Sequence, residues 1–483
     1  MNILKKIWIY LIYWLILLPI FWLFYNAIWD IESRWLLLTI SQIKNTLLLI
    51  ITVTPISLFL WFLIAYYLTL YKIPFRKVIK YWYILSLILP AYIIALLYSD
   101  ITYFVFWLKW LIFILILSTL PFSVISFRNA IKSQSQIYLS ISQNLNISKY
   151  KYFFNIFIPI LKPSIIFITF VIIAEIISEF GATYFLWNST IMTWIYDTWF
   201  VWYKTNVAAQ VSLFFYSIFI ILLYFFKFKN IYNNPVNNIN IIKKEIRFKY
   251  LISFLLFLPI ILTFIIPIII VLKWTYLSMN YFNIDWYFQS LNSTIIISFI
   301  VWTISVIISI FLSYIKNNTI FKILINIIYS IPWIILSIWI LTITPFITWF
   351  FLNYITFIYW LVLKFLSLSY MTISNHINKI NENLLLISRN LKKTTIWHFF
   401  NVDLPIINKS IILSFILIFI EIVKELPITL TLAPFWYKSL SMNIFFAINS
   451  ERLYQTWPYI LTIFIICLLL NIIMLNILWK IKK

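Results

Sequence analysis

One glycine, Gly181, stands in 483 residues. A GxxxxGK[ST] phosphate loop needs two glycines so that backbone amides can close around phosphate, and a GxGxxG turn needs three. Neither fits in this chain, so any ATP that drives it must be bound by another subunit. There is one cysteine, Cys467, inside an apolar run, which excludes an intrachain disulfide and a thiolate metal site. The two histidines, His376 and His398, are 22 residues apart with no ligand cluster at metal spacing. No nucleophile–base set is recognisable, so no catalytic residue is expected and the chain does not read as an enzyme. Acids are scarce: 13 against 36 basic residues, a net charge of +23.

What fills the chain instead is apolar. Hydrophobic residues make up 64%, aromatics 21% and charged residues 10%, with a mean hydropathy of +1.00. A soluble domain of this length would carry far more polar surface. Runs long enough to cross a bilayer as helix, roughly 20 residues each, recur throughout. The fold expected is an all-α polytopic membrane protein with about 12 transmembrane helices. The expected spans of the first set are Ile7–Ile28, Thr46–Tyr71, Tyr83–Tyr98, Phe104–Val124, Ser164–Leu186 and Val207–Phe226. Those of the second are Tyr250–Tyr276, Ser293–Ile315, Leu324–Ile343, Ile347–Leu366, Ser410–Leu432 and Tyr459–Trp479. This divides the chain into a first half (1–226), a polar cytoplasmic linker (227–249) and a second half (250–483).

Basic residues cluster in alternate loops, for example Lys72, Arg76, Lys77 and Lys80, then Arg128, Lys132, Lys149 and Lys151. The intervening loops hold Asp30, Glu32, Asp100, Asp197, Asp285 and Glu451. That asymmetry predicts cytoplasmic termini, and it assigns the charge to membrane orientation and lipid rather than to nucleic acid. Lys109 and Lys273, in or beside spans, are expected to snorkel.

The chain also repeats itself. Phe153–Ile166 (FFNIFIPILKPSII) recurs as Phe399–Ile412 (FFNVDLPIINKSII), with Pro159 and Pro405 separated by 246 residues. The same offset carries Ser142 onto Ser388, Leu145 onto Leu391, Glu175 onto Glu421 and Glu179 onto Glu425. Six spans per half put both repeated loops on one side, so the halves are expected to be parallel repeats. Each loop reads as two short helices followed by a span that starts near its proline.

These loops resemble the cytoplasmic signature of ABC importer permeases, E-A-A, then Gly, then a later I-x-L-P. Counted back from Pro159 and Pro405, the signature glutamate falls at Ser140 and Leu386. Its alanines fall at Ile141 and Ser142 and at Ile387 and Ser388, and its glycine at Asn146 and Lys392. Leu145, Leu391 and both prolines are kept. Downstream, Glu421–Leu453 is similar to the fused permeases of ferric-iron ABC importers, which carry K-E-L-P-x-T-L-x-L-x-P-F. Lys424, Glu425, Leu426, Pro427, Thr429, Leu430, Leu432, Pro434 and Phe435 fit it. Glu179, Phe180 and Gly181, then Ile195, Tyr196, Trp199 and Phe200, resemble the matching part of the first half.

The resemblance implies a type I importer permease in a bacterial inner membrane. It implies two ABC ATPase subunits on the twin loops, an external substrate-binding protein, and no cofactor in the chain itself. Thiamine, polyamine or another small solute is the alternative cargo, and an ion-coupled secondary transporter is the alternative class.

The carboxylates carry the chemistry. Glu175 and Glu179 are four apart, as are Glu421 and Glu425, so each pair is expected to share a helix face. Acids inside a membrane cost roughly 2.5–3.5 kcal/mol each and face a polar interior by default. These four are therefore the candidates to line a translocation path, where carboxylate oxygen suits a hard cation. The alternative is that they pair with buried Lys or Tyr and hold the bundle together. Whether a metal site exists is left open by the residues alone.

Overall fold

Long runs of Ile, Leu and Phe leave the backbone no water to bond, so each run must close its own hydrogen bonds as helix. The computed structural model describes residues 35–85, 88–101, 108–144, 148–225, 245–314, 350–377 and 394–482. Among these residues every element is helical. The main helices are α1 (Trp35–Leu70), α2 (Arg76–Leu85), α3 (Ala91–Ser99), α4 (Leu108–Asn144), α5 (Ile158–Ser178), α6 (Gly181–Phe185), α7 (Ile191–Phe200) and α8 (Thr205–Phe225). They continue with α9 (Lys249–Ile260), α10 (Ile266–Ser278), α11 (Ile284–Ser313), α12 (Phe350–Ile377), α13 (Leu404–Lys424), α14 (Pro427–Leu432), α15 (Leu440–Asn449) and α16 (Trp457–Lys482).

Seven continuous helical paths among the described residues are long and apolar enough to span a bilayer. They are Thr39–Leu70, Tyr150–Ser178, Lys249–Tyr281, Ile284–Ser313, Asn353–Ile377, Phe399–Lys424 and Leu453–Ile477. An eighth is α4, whose halves Leu108–Pro121 and Ser123–Lys132 meet at a 41° bend beside Pro121. The expected spans Ile7–Ile28 and Leu324–Ile343 lie outside the described residues. The expected span Tyr83–Tyr98 is not one helix: α2 ends at Leu85 and α3 begins after Pro90, whose ψ of 159° is extended. Proline cannot donate into a helix and pushes its predecessor out of helical conformation.

The chain groups into two units. The first is Glu32–Lys204 with Phe214–Lys273; the second includes Thr205–Leu213 and Trp274–Lys483. In the first unit, α9 and α10 pack against the 71–100 region. Tyr83 OH donates to Leu256 O at 2.6 Å, Tyr98 OH to Leu262 O at 2.8 Å, and Lys273 Nζ meets Asp100 Oδ2 at 2.8 Å. Lys273 therefore ends in an ion pair with the neighbouring loop.

Helix contacts in both units use small hydroxyls. Where α1 meets α4, Trp61 Nε1 donates to Thr119 Oγ1 (3.3 Å), and Thr119 Oγ1 donates to Ser57 Oγ (3.2 Å). Where α11 meets α12, Ser309 and Ser369 share a hydrogen bond, and Ser369 Oγ donates to Ser305 O at 3.2 Å. Small polar residues let backbones approach while keeping their own groups bonded, which suits association inside lipid.

Candidate functional site

Both repeated segments contain the same irregularity. Lys149–Tyr152, a π-helical turn at Phe153–Phe157 and α5 follow without a break; Thr395–His398, a π-helical turn at Phe399–Asp403 and α13 do the same. In each turn the last amide reaches back five residues, Ile158 N–H to Phe153 O and Leu404 N–H to Phe399 O. Proline follows at once, Pro159 and Pro405. A third copy, Ile261–Ile265, precedes Pro267 in the same way. A proline ring clashes with the carbonyl four residues back, and a widened turn moves that carbonyl away.

Each proline stands in the first turn of its α-helix, as expected, but the π turn joins that helix without a break to the segment before it. The two expected short helices are absent from the first loop as separate elements: α4 continues to Asn144, and the segment from Lys149 runs straight into the span. Ser140, Ile141 and Ser142 fall on the end of α4. Leu145 and Asn146 lie outside the described residues, as do Leu386, Ile387, Ser388, Leu391 and Lys392.

The far ends of the two spans match as closely. α5 stops at Ser178 and α13 at Lys424, and the next residues, Glu179 and Glu425, are extended, with ψ of 114° and 122°. Each glutamate then caps the following short helix. Glu179 Oε1 accepts from Ala182 N–H at 2.9 Å, and Glu425 Oε1 accepts from Ile428 N–H at 3.1 Å. Thr183 and Thr429 hydroxyls donate back to the Glu179 and Glu425 carbonyls at 3.1 and 3.0 Å. The expectation that each pair shares a helix face therefore fails. Glu175 and Glu421 stay in the last turn, whereas Glu179 and Glu425 have left the helix and turned to its successor. A short side-chain acceptor satisfies amides that a helix start cannot bond internally.

Next, α7 and α15 begin on hydroxyl caps. Thr190 forms a reciprocal capping box with Thr193, and Ser439 Oγ accepts from Met442 N–H at 3.1 Å. Each start is also tied to a long helix. Ile191 N–H donates to Thr46 Oγ1, and Leu440 N–H donates to Thr294 Oγ1, both at 3.2 Å. Gly181 serves close packing. A Cβ there would lie 2.6 Å from Tyr92 Cβ, so α6 approaches α3 more closely than any side chain allows.

The copies differ in charge. Glu425, 6% exposed, is held by the ammonium of Lys364, 8% exposed. Glu421 takes Lys424 Nζ at 2.9 Å. At Glu179 the described partners are backbone amides of Gly181 and Ala182. Glu175 is exposed on the surface of α5. A second difference lies at the π turns. In the first unit Tyr66, Tyr152 and Phe157 cluster, with Tyr66 and Tyr152 each about 6 Å from Phe157 (5.9 and 6.1 Å). In the second, Tyr314 OH donates to Asp403 Oδ2 at 2.6 Å, and His398 Nε2 lies 3.3 Å from Asp403 Oδ1. His398 and Asp403 are both buried, not solvated.

Lys364 was the site residue that apolar pattern alone concealed. A lysine near the end of the run Ile347–Leu366 reads as an interfacial anchor until its acid is placed beside it. His376 Nδ1 lies 3.0 Å from Thr372 O, within its own helix. Among the described residues no three of His, Cys, Asp and Glu gather into a ligand cluster.

Length, apolarity and internally bonded backbone together define this chain as a multi-pass helical membrane protein. Comparison with protein-family models, curated proteins and solved structures found no match.

Proposed function

We propose that this chain is the transmembrane permease subunit of a binding-protein-dependent ABC importer. In this reading it is a fused two-half permease of 12 spans in two parallel six-helix repeats, lies in a bacterial inner membrane with both termini cytoplasmic, and carries ferric iron inward. Two ATPase subunits would dock on the twin loops and an external binding protein would deliver the cargo. The observation that carries this reading is the recurrence of one irregular path. A π turn before a proline, a 21-residue helix, an extended glutamate cap and a hydroxyl-capped helix occur at 153–200 and again at 399–449. Such a path links each loop to the opposite end of its span by continuous helix, as a device that tilts a span from one side requires. Exposed Glu175 and half-buried Glu421 would offer oxygen to a hard cation without the tight hold that would stop conduction.

The test is twofold. Affinity purification of the intact protein from its own cells should recover an ABC ATPase, and ATP-dependent uptake of radiolabelled ferric iron should follow in proteoliposomes. Uptake driven by an ion gradient with no ATPase recovered would make the chain a secondary transporter. ATP-driven uptake of thiamine or a polyamine in place of iron would keep the machine and change the cargo. Glu175→Gln and Glu421→Gln should lower uptake with the fold intact; unchanged uptake would remove both from the path.

A further inference from the structure

Two segments about 170 residues apart meet at one edge of the first unit. Ser253 Oγ donates to Pro74 O at 3.1 Å, and Lys72 Nζ meets Glu245 Oε1 at 3.2 Å. Trp82 packs edge-on against Phe264 with ring centres 4.6 Å apart. The contact aligns two span ends. Thr39–Leu70 finishes two residues before Lys72, and Lys249–Tyr281 starts at Lys249. Both ends meet here, at the boundary between each apolar run and the polar segment beside it.

What sits on that boundary is cationic and aromatic. Lys72, Lys77, Arg247 and Lys249 are exposed. Among the described residues of these two segments, 71–85 and 245–254, the acid is Glu245 alone. Arg76 turns inward and closes α1, its guanidinium bonding Leu68 O (2.5 Å) and Thr69 O (3.2 Å). Phe75, held at a φ of 54°, is 69% exposed, and Phe248 and Tyr250 are 63% and 69% exposed. The charges lie along the rings, with Arg247 5.9 Å from Phe248 and Lys249 5.4 Å from Tyr250. Along α2, Ile79 and Tyr83 are buried while Lys77 and Val78 face outward. That is an amphipathic helix with basic residues at a membrane edge.

Scattered loop cations suffice to orient a protein during insertion. Orientation does not require cations from distant segments to fold into one patch, nor three exposed rings beside them. We infer that this edge binds the headgroup of an anionic phospholipid. The phosphate would sit among Lys72, Lys77, Arg247 and Lys249, and the glycerol and upper acyl chain would lie on Phe75, Phe248 and Tyr250. This assignment depends only on the membrane class of the protein and not on its being an importer.

The experiment is native mass spectrometry of the full chain after exchange into nanodiscs of phosphatidylcholine with phosphatidylglycerol. Phosphatidylglycerol should stay bound preferentially, survive millimolar inorganic phosphate and be lost as salt rises. The variant Lys72→Gln/Lys77→Gln/Arg247→Gln/Lys249→Gln should retain about tenfold less of it, with phosphatidylcholine unchanged. Lys109→Gln, at the exposed start of α4, should change nothing. Equal retention of both lipids by the unmodified protein overturns the inference without recourse to a variant. So does a folded quadruple variant that keeps phosphatidylglycerol, or displacement of the lipid by phosphate, which would mark a free-anion site. Recovery of an acidic protein on this patch in lipid-saturated nanodiscs would likewise replace the lipid as occupant.

Discussion

The ammonium of Lys364 meets the carboxylate of Glu425 inside the second unit, with both side chains buried. One half therefore neutralises its capping glutamate with a lysine. The other leaves the task to the backbone amides of Gly181 and Ala182.

Removing one member of that pair strands the other in a low-dielectric interior. Lys364→Met should cost about 3–5 kcal/mol of stability. The double change Lys364→Met/Glu425→Gln should recover most of the loss, since a neutral amide can keep part of the cap on α14. Unfolding of the four proteins in mild detergent gives the coupling directly. Additive losses would mean that the ions do not depend on each other.

Gly181→Ala should destabilise by about 1–3 kcal/mol, because overpacking must push α6 off α3. The clash is with Tyr92 Cβ, which no rotamer can move. A melting temperature equal to that of the parent would show that the helices separate freely.

Pro405→Ala restores an amide and removes the ring that the π turn accommodates. The turn at Phe399–Asp403 should then relax to α, and amides over 399–405 should exchange more slowly with deuterium. His398 and Asp403 are five residues apart and share a side only on a π turn. Their contact should part, and the change should be read by hydrogen exchange and by the histidine ring signals.

Asp197, on α7, has its carboxyl held above the ordinary aspartate range by burial. A raised native value means that the folded protein binds this proton more tightly than the unfolded chain does. This group therefore opposes stability as pH rises through the native value, and its penalty vanishes below the unfolded value. Asp197→Asn should raise the melting temperature at neutral pH and flatten its dependence on the acid side.

The repeat was legible because it is written in residues that do specific work. Pro159 and Pro405, Glu179 and Glu425, and Thr183 and Thr429 hold register through identical backbone tasks. The helical class followed from apolar run length alone. The π turns were not legible, since a five-residue hydrogen-bond ring changes geometry without changing apolar pattern. The glutamate pairs misled for a related reason. Spacing of four places two residues on one helix face only while the helix lasts, and these helices end between them. Tyr83–Tyr98 read as a span because its hydropathy is continuous, yet Pro90 divides it.

The grouping of Phe214–Lys273 with Glu32–Lys204 has a bearing on how such a protein could be divided. The expected boundary lies in the linker 227–249, and cutting there would part α9 and the turn after it from Pro74, Trp82, Tyr83 and Tyr98, which they contact. Two separately translated halves would each emerge with a greasy scar, one missing a helix and the other carrying a spare. Joining them in a single polypeptide guarantees that helix at equal stoichiometry for every copy made.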